Sequence, residues 1–257
     1  MKAVDSQLGK FPEIEVHIFS DWHIGDKNCD YKLIEQHIED VKSKKNAFVI
    51  LNGDLCNNAT KTSVSDNYAE EFSPMQQIEK VCDLLTPIKD RILFASQGNH
   101  EARTYRDDGI DITSFICREL GVADKYCREG GVLFVTFNGG YHYGRNGKII
   151  YSFYITHGAG GGRKEGAKAI RLADLANVVD TDIYIHSHTH LPMIMKEGFY
   201  RTAPEHRSVN YCEKLFVNTE SSLEFGGYGQ IKGFKPVSNA TPVIYLAGKK
   251  KLATAKL

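Results

Sequence analysis

Apolar positions along this chain fall into short, β-branched runs separated by stretches with helical spacing. Residues 14–19, 47–51 and 92–95 read as strands, and the second is apolar almost throughout, the pattern of a strand covered on both faces. Between them, residues 31–45 place Leu33, Ile34, His37, Ile38 and Val41 on one helical face, and residues 75–88 repeat that period. A short helix is predicted over 112–120, ended by Gly121. Beyond it strands dominate. Residues 132–137 and 149–156 are strands on either side of a Gly-Gly and Asn-Gly excursion over 139–148, which reads as a turn or hairpin. A helix over 164–179 follows a glycine-rich lead-in, residues 182–185 form another strand, and the remainder is mostly short strands and turns. The β-α-β-α-β opening with a strand-rich sequel predicts an α/β fold of two packed sheets with helices outside them. The expectation is a single domain over 1–257, with its core over about 14–192 and a strand-rich part over 193–257.

The informative polar residues sit where the strands end. The first strand runs into Asp21-Trp22-His23, the second into Gly53-Asp54-Leu55-Cys56-Asn57, and the third into Gly98-Asn99-His100-Glu101. The strand over 149–156 opens onto His157-Gly158, and that over 182–185 onto His186-Ser187-His188-Thr189-His190. In open α/β sheets ligands gather at the carboxyl edge of the strands. Carboxylate, amide oxygen and imidazole together suit divalent ions such as Mn, Fe, Zn, Co or Ni. In Asp21-x-His23 and His188-x-His190 the paired side chains share a side if the backbone stays extended. Glycines at 53, 98 and 158 permit tight turns beside the site. Each piece also has a plain structural reading: Gly-Asp is common turn chemistry, and Asn99 could cap a helix. A triple alternating histidine is harder to place as a solvated strand.

Composition narrows the function without naming it. Lys plus Arg and Asp plus Glu are equal at 32 each, so no global field draws the chain to nucleic acid or membrane, although a local basic groove stays possible. The six cysteines form no CxxC pair. The opening stretch has no continuous apolar core and no apolar run is long enough to span a bilayer. The expectation is a cytoplasmic protein with reduced thiols.

Taken as a set, Asp21-x-His23, Gly53-Asp54-x-x-Asn57, Gly98-Asn99-His100-Glu101, His157 and His188-x-His190 resemble the five motifs of the calcineurin-like metallophosphoesterases, over roughly residues 14–192. The resemblance implies a β-sandwich flanked by helices and a dinuclear centre, manganese being the favoured ion. It implies that Asp21, His23 and His190 bind one metal, that Asn99, His157 and His188 bind the other, and that Asp54 bridges them. His100 would stand outside the ligand set, beside the leaving group. Ser187 departs from the glycine usual before the last His-x-His. His186 stands where the family commonly has an apolar residue, and it is expected to support the site rather than ligate, on the face it shares with His188.

The chemistry implied is hydrolysis of a phosphate ester by hydroxide generated between two cations, with His100 protonating or stabilising the departing oxygen. Arg103 and Arg106 are candidates to hold a phosphate oxygen, with solvated loop arginines as the plain alternative. The glycine-rich stretch 158–164 could bind phosphate through its amides and the helix that follows, or be simply a loop. Tyr141-His142-Tyr143 could stack on a base or pack in a hairpin, and Lys249-Lys250-Lys251 reads as a solvated tail. The second motif continues as Asn57-Asn58-Ala59-Thr60 and lacks the Asp-Arg-Gly usual in the serine/threonine protein phosphatases of the superfamily. Ser20-Asp21-Trp22-His23-Ile24-Gly25 is more similar to the opening of the DNA-repair exonuclease branch. A DNA phosphodiesterase is therefore the first alternative to an unassigned phosphoesterase, and a silent metal-binding scaffold is the second.

Overall fold

The computed structural model describes every residue except 10, 62, 64–67, 143–144, 161, 163, 227–229, 231–234 and 237, and it leaves the side chains over 139–146 undescribed. Two sheets face each other. The first has five strands in the order β11 (Ala253–Lys256), β10 (Val243–Ala247), β2 (Glu13–Phe19), β3 (Ala47–Asn52) and β4 (Ile92–Ser96). The second has six, in the order β1 (Lys2–Gln7), β5 (Gly131–His142), β6 (Arg145–Ile155), β7 (Ile183–His186), β9 (Ser208–Asn218) and β8 (Met193–Ala203). β2, β3 and β4 run parallel, as do β6, β7 and β9, so each sheet has a carboxyl edge where several strands deliver their loops together.

Alternation along the strands builds the layers. Phe48 and Ile50 of β3 face inward and pack with Ile14, Val16, Ile18 and Phe94, and with Leu133, Val135, Phe153, Ile155, Ile183, Ile185 and Val217 of the other sheet. Val49 and Leu51 face outward, under helices α1 (Tyr31–Ser43), α2 (Pro74–Leu85) and α4 (Ile112–Glu119). This is why residues 47–51 are apolar throughout: both faces are covered. Helix α5 (Glu165–Asp174) covers the other sheet, where Leu172 packs with Tyr184 and Phe216. The result is an α-β-β-α sandwich, as the chain's patterning predicts. The helices begin where chemistry dictates. Asp30 accepts from Leu33 N at the head of α1, Ser73 and Gln76 form a reciprocal cap on α2, and Asp111 accepts from Ser114 N on α4.

Several expectations need correction. β1 was not foreseen, and neither was helix α3 (Glu101–Asp108), whose mean composition is strongly polar. Asn99 does not cap α3; that place falls to His100, without a side-chain cap bond. The predicted helices over 75–88 and 164–179 end early, each finishing in a short 3₁₀ turn. The C-terminal part is not mostly short strands, because β8 and β9 each run 11 residues as an antiparallel hairpin. The strands of that part belong to both sheets, β10 pairing with β2 in one and β9 with β7 in the other. The excursion over 139–148 is mostly strand, the ends of β5 and β6 pairing from Gly140 with Gly147 to His142 with Arg145, and the side chains of Tyr141, His142 and Tyr143 lie outside the described residues. Among the described residues, no helix is long and apolar enough to cross a membrane.

Candidate metal centre

The carboxyl ends of β2, β3, β4, β6 and β7 meet along one edge of the sandwich, and their loops bring together the sequence-predicted residues. Beyond β2, Trp22 is buried against Phe19 with ring centroids 5.2 Å apart, and this anchor turns its neighbours Asp21 and His23 toward the other side. The loops after β2 and β3 pair through their backbones, Asp21 N donating to Gly53 O at 3.0 Å and His23 N to Asp54 O at 3.0 Å. The backbone is not extended here. Asp21, His23, Asp54, His188 and His190 all have positive φ, between 51° and 63°. Asp and His tolerate that region better than most side chains, yet each such residue still costs on the order of 1–3 kcal/mol. The x-between-ligands spacing therefore converges through left-handed turns rather than through an extended strand.

Two glycines allow the closest approach. Gly53 has φ +81°, and a Cβ there would lie 2.3 Å from Gly98 N. At Gly98 a Cβ would lie 2.1 Å from both Asp54 N and Asp54 Oδ1. Glu101 then ties these loops together: Oε2 accepts from Asp54 N at 3.0 Å and Gly98 N at 3.1 Å, and Oε1 from Cys56 N at 3.0 Å. Burial, with the Asp54 charge added, pushes the Glu101 carboxyl up to about 7. Beneath the site Asn52 joins the sheets, donating to Thr156 O at 3.0 Å and Ser187 Oγ at 2.7 Å while accepting from Ser96 Oγ at 2.7 Å. Ser187, in place of the expected glycine, is thus a buried hydrogen-bond acceptor and needs no left-handed backbone.

Among the described residues, three overlapping triads offer ligand atoms within 4.8 Å of one another: Asp21, His23 and His190; Asp54, His157 and His188; and His23, Asp54 and His100. His190 Nε2 lies 3.1 Å from Asp21 Oδ1 and 3.4 Å from His23 Nε2. His157 is the clearest case. Its Nδ1 lies 2.7 Å from Asn52 O, and a carbonyl only accepts, so Nδ1 carries the proton. Nε2 then aims a lone pair at Asp54 Oδ2, 3.1 Å away, and at Asn99 Oδ1, 3.2 Å away. Three acceptors facing one another repel unless something positive stands among them. Without a metal, that is a proton: burial pulls the His157 imidazole down, but the Asp54 carboxylate outweighs it and lifts it to about 10. Burial holds His23 well below its ordinary range, and burial together with the His157 charge lowers His188 to about 4. Among the described residues, buried His23 Nδ1 has no hydrogen-bond partner, and buried Asp21 Oδ1 has only its 3.1 Å ion-pair contact with His190. Neutral His23 and His188 with ionised Asp21 and Asp54 are in the state that divalent cations require of their ligands, and His157 would reach it by yielding its Nε2 proton to an incoming ion. The residues fit such ions.

The remaining predicted residues divide. His100 enters the cluster, its ring centroid 4.4 Å from that of His23. Its Nδ1 lies 2.7 Å from Asn57 O and must donate, so Nε2 accepts from Arg103 Nη2 at 3.0 Å. Arg103 also donates through Nη1 to Asn57 O at 3.2 Å. Arg106 is not brought in: it is exposed and pairs with Asp107. His186 stands apart from the ligand triads, with Nδ1 2.8 Å from Asn218 Oδ1. In the glycine-rich stretch, residues 161 and 163 lie outside the described residues; Gly158, at φ +93°, leaves room for the His186 ring, whose Nε2 a Cβ would meet at 2.1 Å.

One segment escaped sequence reasoning. At the end of β9, the segment Asn218-Thr219-Glu220-Ser221-Ser222 is buried and lies against Asp21. Ser221 Oγ donates to Asp21 O at 2.9 Å, and Ser222 N donates to the same carbonyl at 3.1 Å. The available signal was an apolar run, Leu215-Phe216-Val217, opening onto polar residues, the same pattern that marks the other strand ends.

A family model for the calcineurin-like phosphoesterases matches residues 14–192. Among solved structures, the chain is similar to the calcineurin-like phosphoesterase YfkN from Bacillus subtilis, at 13% identity over 95% of this chain and 90% of that one, with a TM-score of 0.45. It is similar to Vps29 complexed with zinc from Entamoeba histolytica, at 12% identity over 95% and 97%, TM-score 0.41. A third similarity is to a metallophosphoesterase from Sphaerobacter thermophilus, at 12% identity over 91% and 83%, TM-score 0.42. No curated protein matches the chain by sequence.

Proposed function

The chain belongs to the calcineurin-like phosphoesterase family, and from that membership we propose that it hydrolyses a phosphate ester at a centre of two divalent cations. Asp21, His23 and His190 would hold one ion, Asn99, His157 and His188 the other, and Asp54 both. Manganese is the ion we favour. The observation that carries this reading is the placement of His157 Nε2, turned by the Nδ1 bond to Asn52 O so that it faces the oxygens of Asp54 and Asn99. When bound, the cations supply Lewis-acid polarisation of the phosphoryl group and ease the ionisation of water.

The protein's own residues do the rest. Asp54 is held on its backbone side by Glu101, and its Oδ1 accepts from His100 N at 2.8 Å, so the carboxylate that faces both triads cannot turn away. The floor, made by Asp21, His23, Asp54 and His157, is buried, whereas Asn99 is exposed and His100, His188 and His190 are partly so. Substrate therefore approaches from the Asn99 side. His100 stands outside the ligand set because both its ring nitrogens are committed, to Asn57 O and to Arg103. His100 and Arg103 act as one unit on the departing oxygen. Burial holds His100 neutral at rest, against the pull of Asp54 and with the help of Arg103. The charged donor at that corner is thus Arg103, whose guanidinium has five N–H groups and more to offer than these contacts use. Arg106 has no part in this reading.

The test starts from chelated protein, with manganese added back and turnover measured on p-nitrophenyl phosphate and on its bis ester. The expected result is hydrolysis that returns with manganese and is abolished by chelator. The ratio between the two esters assigns monoester or diester preference, and a diester preference would lead on to single-stranded and duplex DNA at graded salt. Protein that binds metal tightly yet turns over neither ester would reverse the proposal in favour of a silent scaffold.

A further inference from the structure

The centre leans on a residue beyond the segment that the family model matches. Asn218 closes β9, which runs parallel to β7 and sets Asn218 opposite His186. Its side chain is buried, at 1% exposure, inside the turn that follows β7. Asn218 Nδ2 donates to Leu191 O at 2.6 Å. A carbonyl cannot donate, so this contact fixes which way round the amide lies. Oδ1 then faces His186 Nδ1 at 2.8 Å, and His186 Nδ1 carries the proton. The Thr189 hydroxyl lies 2.9 Å from Nδ2 and 3.2 Å from Oδ1. One amide therefore grips the chain before, between and after His188 and His190.

A contrast with the first motif shows why this grip is needed. Asp21 and His23 flank Trp22, which buries a large ring in the outer core. His188 and His190 flank Thr189, which has no such anchor; its hydroxyl goes to Asn218 and its carbonyl accepts from Lys168 Nζ at 2.7 Å. Both histidines hold left-handed backbone, φ 63° and 52°. Strain of that kind persists only where the surroundings over-determine it.

We propose that Asn218 is a positioning residue of the metal centre, holding His188 and His190 where their ring nitrogens meet Asp54 and Asp21. This rests on the two-cation reading above. The experiment titrates metal-free protein with cobalt, following visible absorption and binding heat, with thermal unfolding of the metal-free form recorded in parallel. Asn218→Asp keeps size and shape, but a carboxylate cannot donate to Leu191 O. The expected result is folded protein whose cobalt affinity falls roughly 10- to 100-fold, the usual effect of removing a group that orients a ligand, with an altered cobalt absorption band. Should that variant fail to fold, Thr189→Val decides, because it deletes only the hydroxyl between the two histidines and should weaken cobalt binding in the same direction. Wild-type affinity and an unchanged spectrum in the deciding variant, whatever its melting temperature, would overturn the proposal. Wild-type protein that takes up no cobalt would remove the two-cation reading itself.

Discussion

Gly98→Ala is the most incisive perturbation of the site that leaves every proposed ligand in place. The added methyl would lie 2.1 Å from Asp54 N and Asp54 Oδ1 and 2.7 Å from Asp54 Cγ. Real Cβ contacts do not fall below 3.0 Å, so Asp54, which is buried, or the Gly98 loop must shift by about 1 Å. Overpacking of that kind costs roughly 1–3 kcal/mol. The shift also strains the bond from His100 N to Asp54 Oδ1, now 2.8 Å, and the paired bonds from Asp54 N and Gly98 N to Glu101 Oε2. Losing one hydrogen bond to a charged acceptor adds roughly 1.5–3 kcal/mol. For a chain of this size each kcal/mol is about 2–4 °C in Tm, so the metal-free variant should melt on the order of 5–20 °C below wild type. Because Asp54 is the carboxylate proposed to hold both ions, the Tm gain on adding manganese should shrink as well, since that gain follows the binding constant. The assay is thermal unfolding by circular dichroism, with and without manganese. Gly166→Ala, in α5 with nothing within 4 Å of the added methyl, is the control and should leave both quantities at or slightly above wild type. A Gly98→Ala protein that melts within 2–3 °C of wild type, roughly the effect of 1 kcal/mol, and keeps the full manganese increment would refute the tight-packing account of the Asp54 loop.

Other outcomes follow from the same geometry. His100→Ala should retain its metal by elemental analysis while kcat falls about 10²–10⁴-fold, whereas Asp54→Ala should lose metal too; fully loaded Asp54→Ala would show that the carboxylate bridges nothing. Arg103→Ala should lower kcat together with kcat/KM, and Arg106→Ala should match wild type in both, since only Arg103 touches His100; equal losses from the two would place the phosphate elsewhere. Ser187→Gly should cost about 1 kcal/mol in unfolding free energy through the lost bond from Asn52 Nδ2, and a more stable variant would mean that the family's usual glycine suits this turn better. Burial raises the Cys29 and Cys117 thiols to about 12 and keeps Cys56 well above its ordinary range. A thiol reagent at pH 8 should therefore label Cys212, the partly exposed one, ahead of the other five, which should react only on unfolding; rapid native labelling of Cys56 would contradict the packing around the Asp54 loop.

Much of this molecule was legible before any coordinates. Period-2 runs and 3.6-period faces placed β2, β3, β4, α1 and α4 because those elements bury one stripe or two faces, and burial writes itself as apolar spacing. Helix α3 was invisible for the converse reason: apart from Glu101 its residues are not buried, so it carries no apolar stripe. The candidate ligands were legible because metals demand a narrow set of side chains, and those side chains stood at strand ends, where chain reversal makes them costly to keep for nothing.

What the chain determined alone, then, was an inventory: which residues could hold metal and which strands would deliver them. Tertiary structure decided their geometry, because that depends on contacts between segments far apart in sequence. Only the fold shows Asn52 joining the sheets beneath His157, Glu101 tying down Asp54, and Asn218 reaching into the His186–Leu191 turn. Only the fold separates Arg103, bonded to His100, from Arg106, turned to solvent three residues later. A side chain's type is a local property of sequence; what it faces is set by the packing of two sheets, and no spacing rule along one chain encodes it.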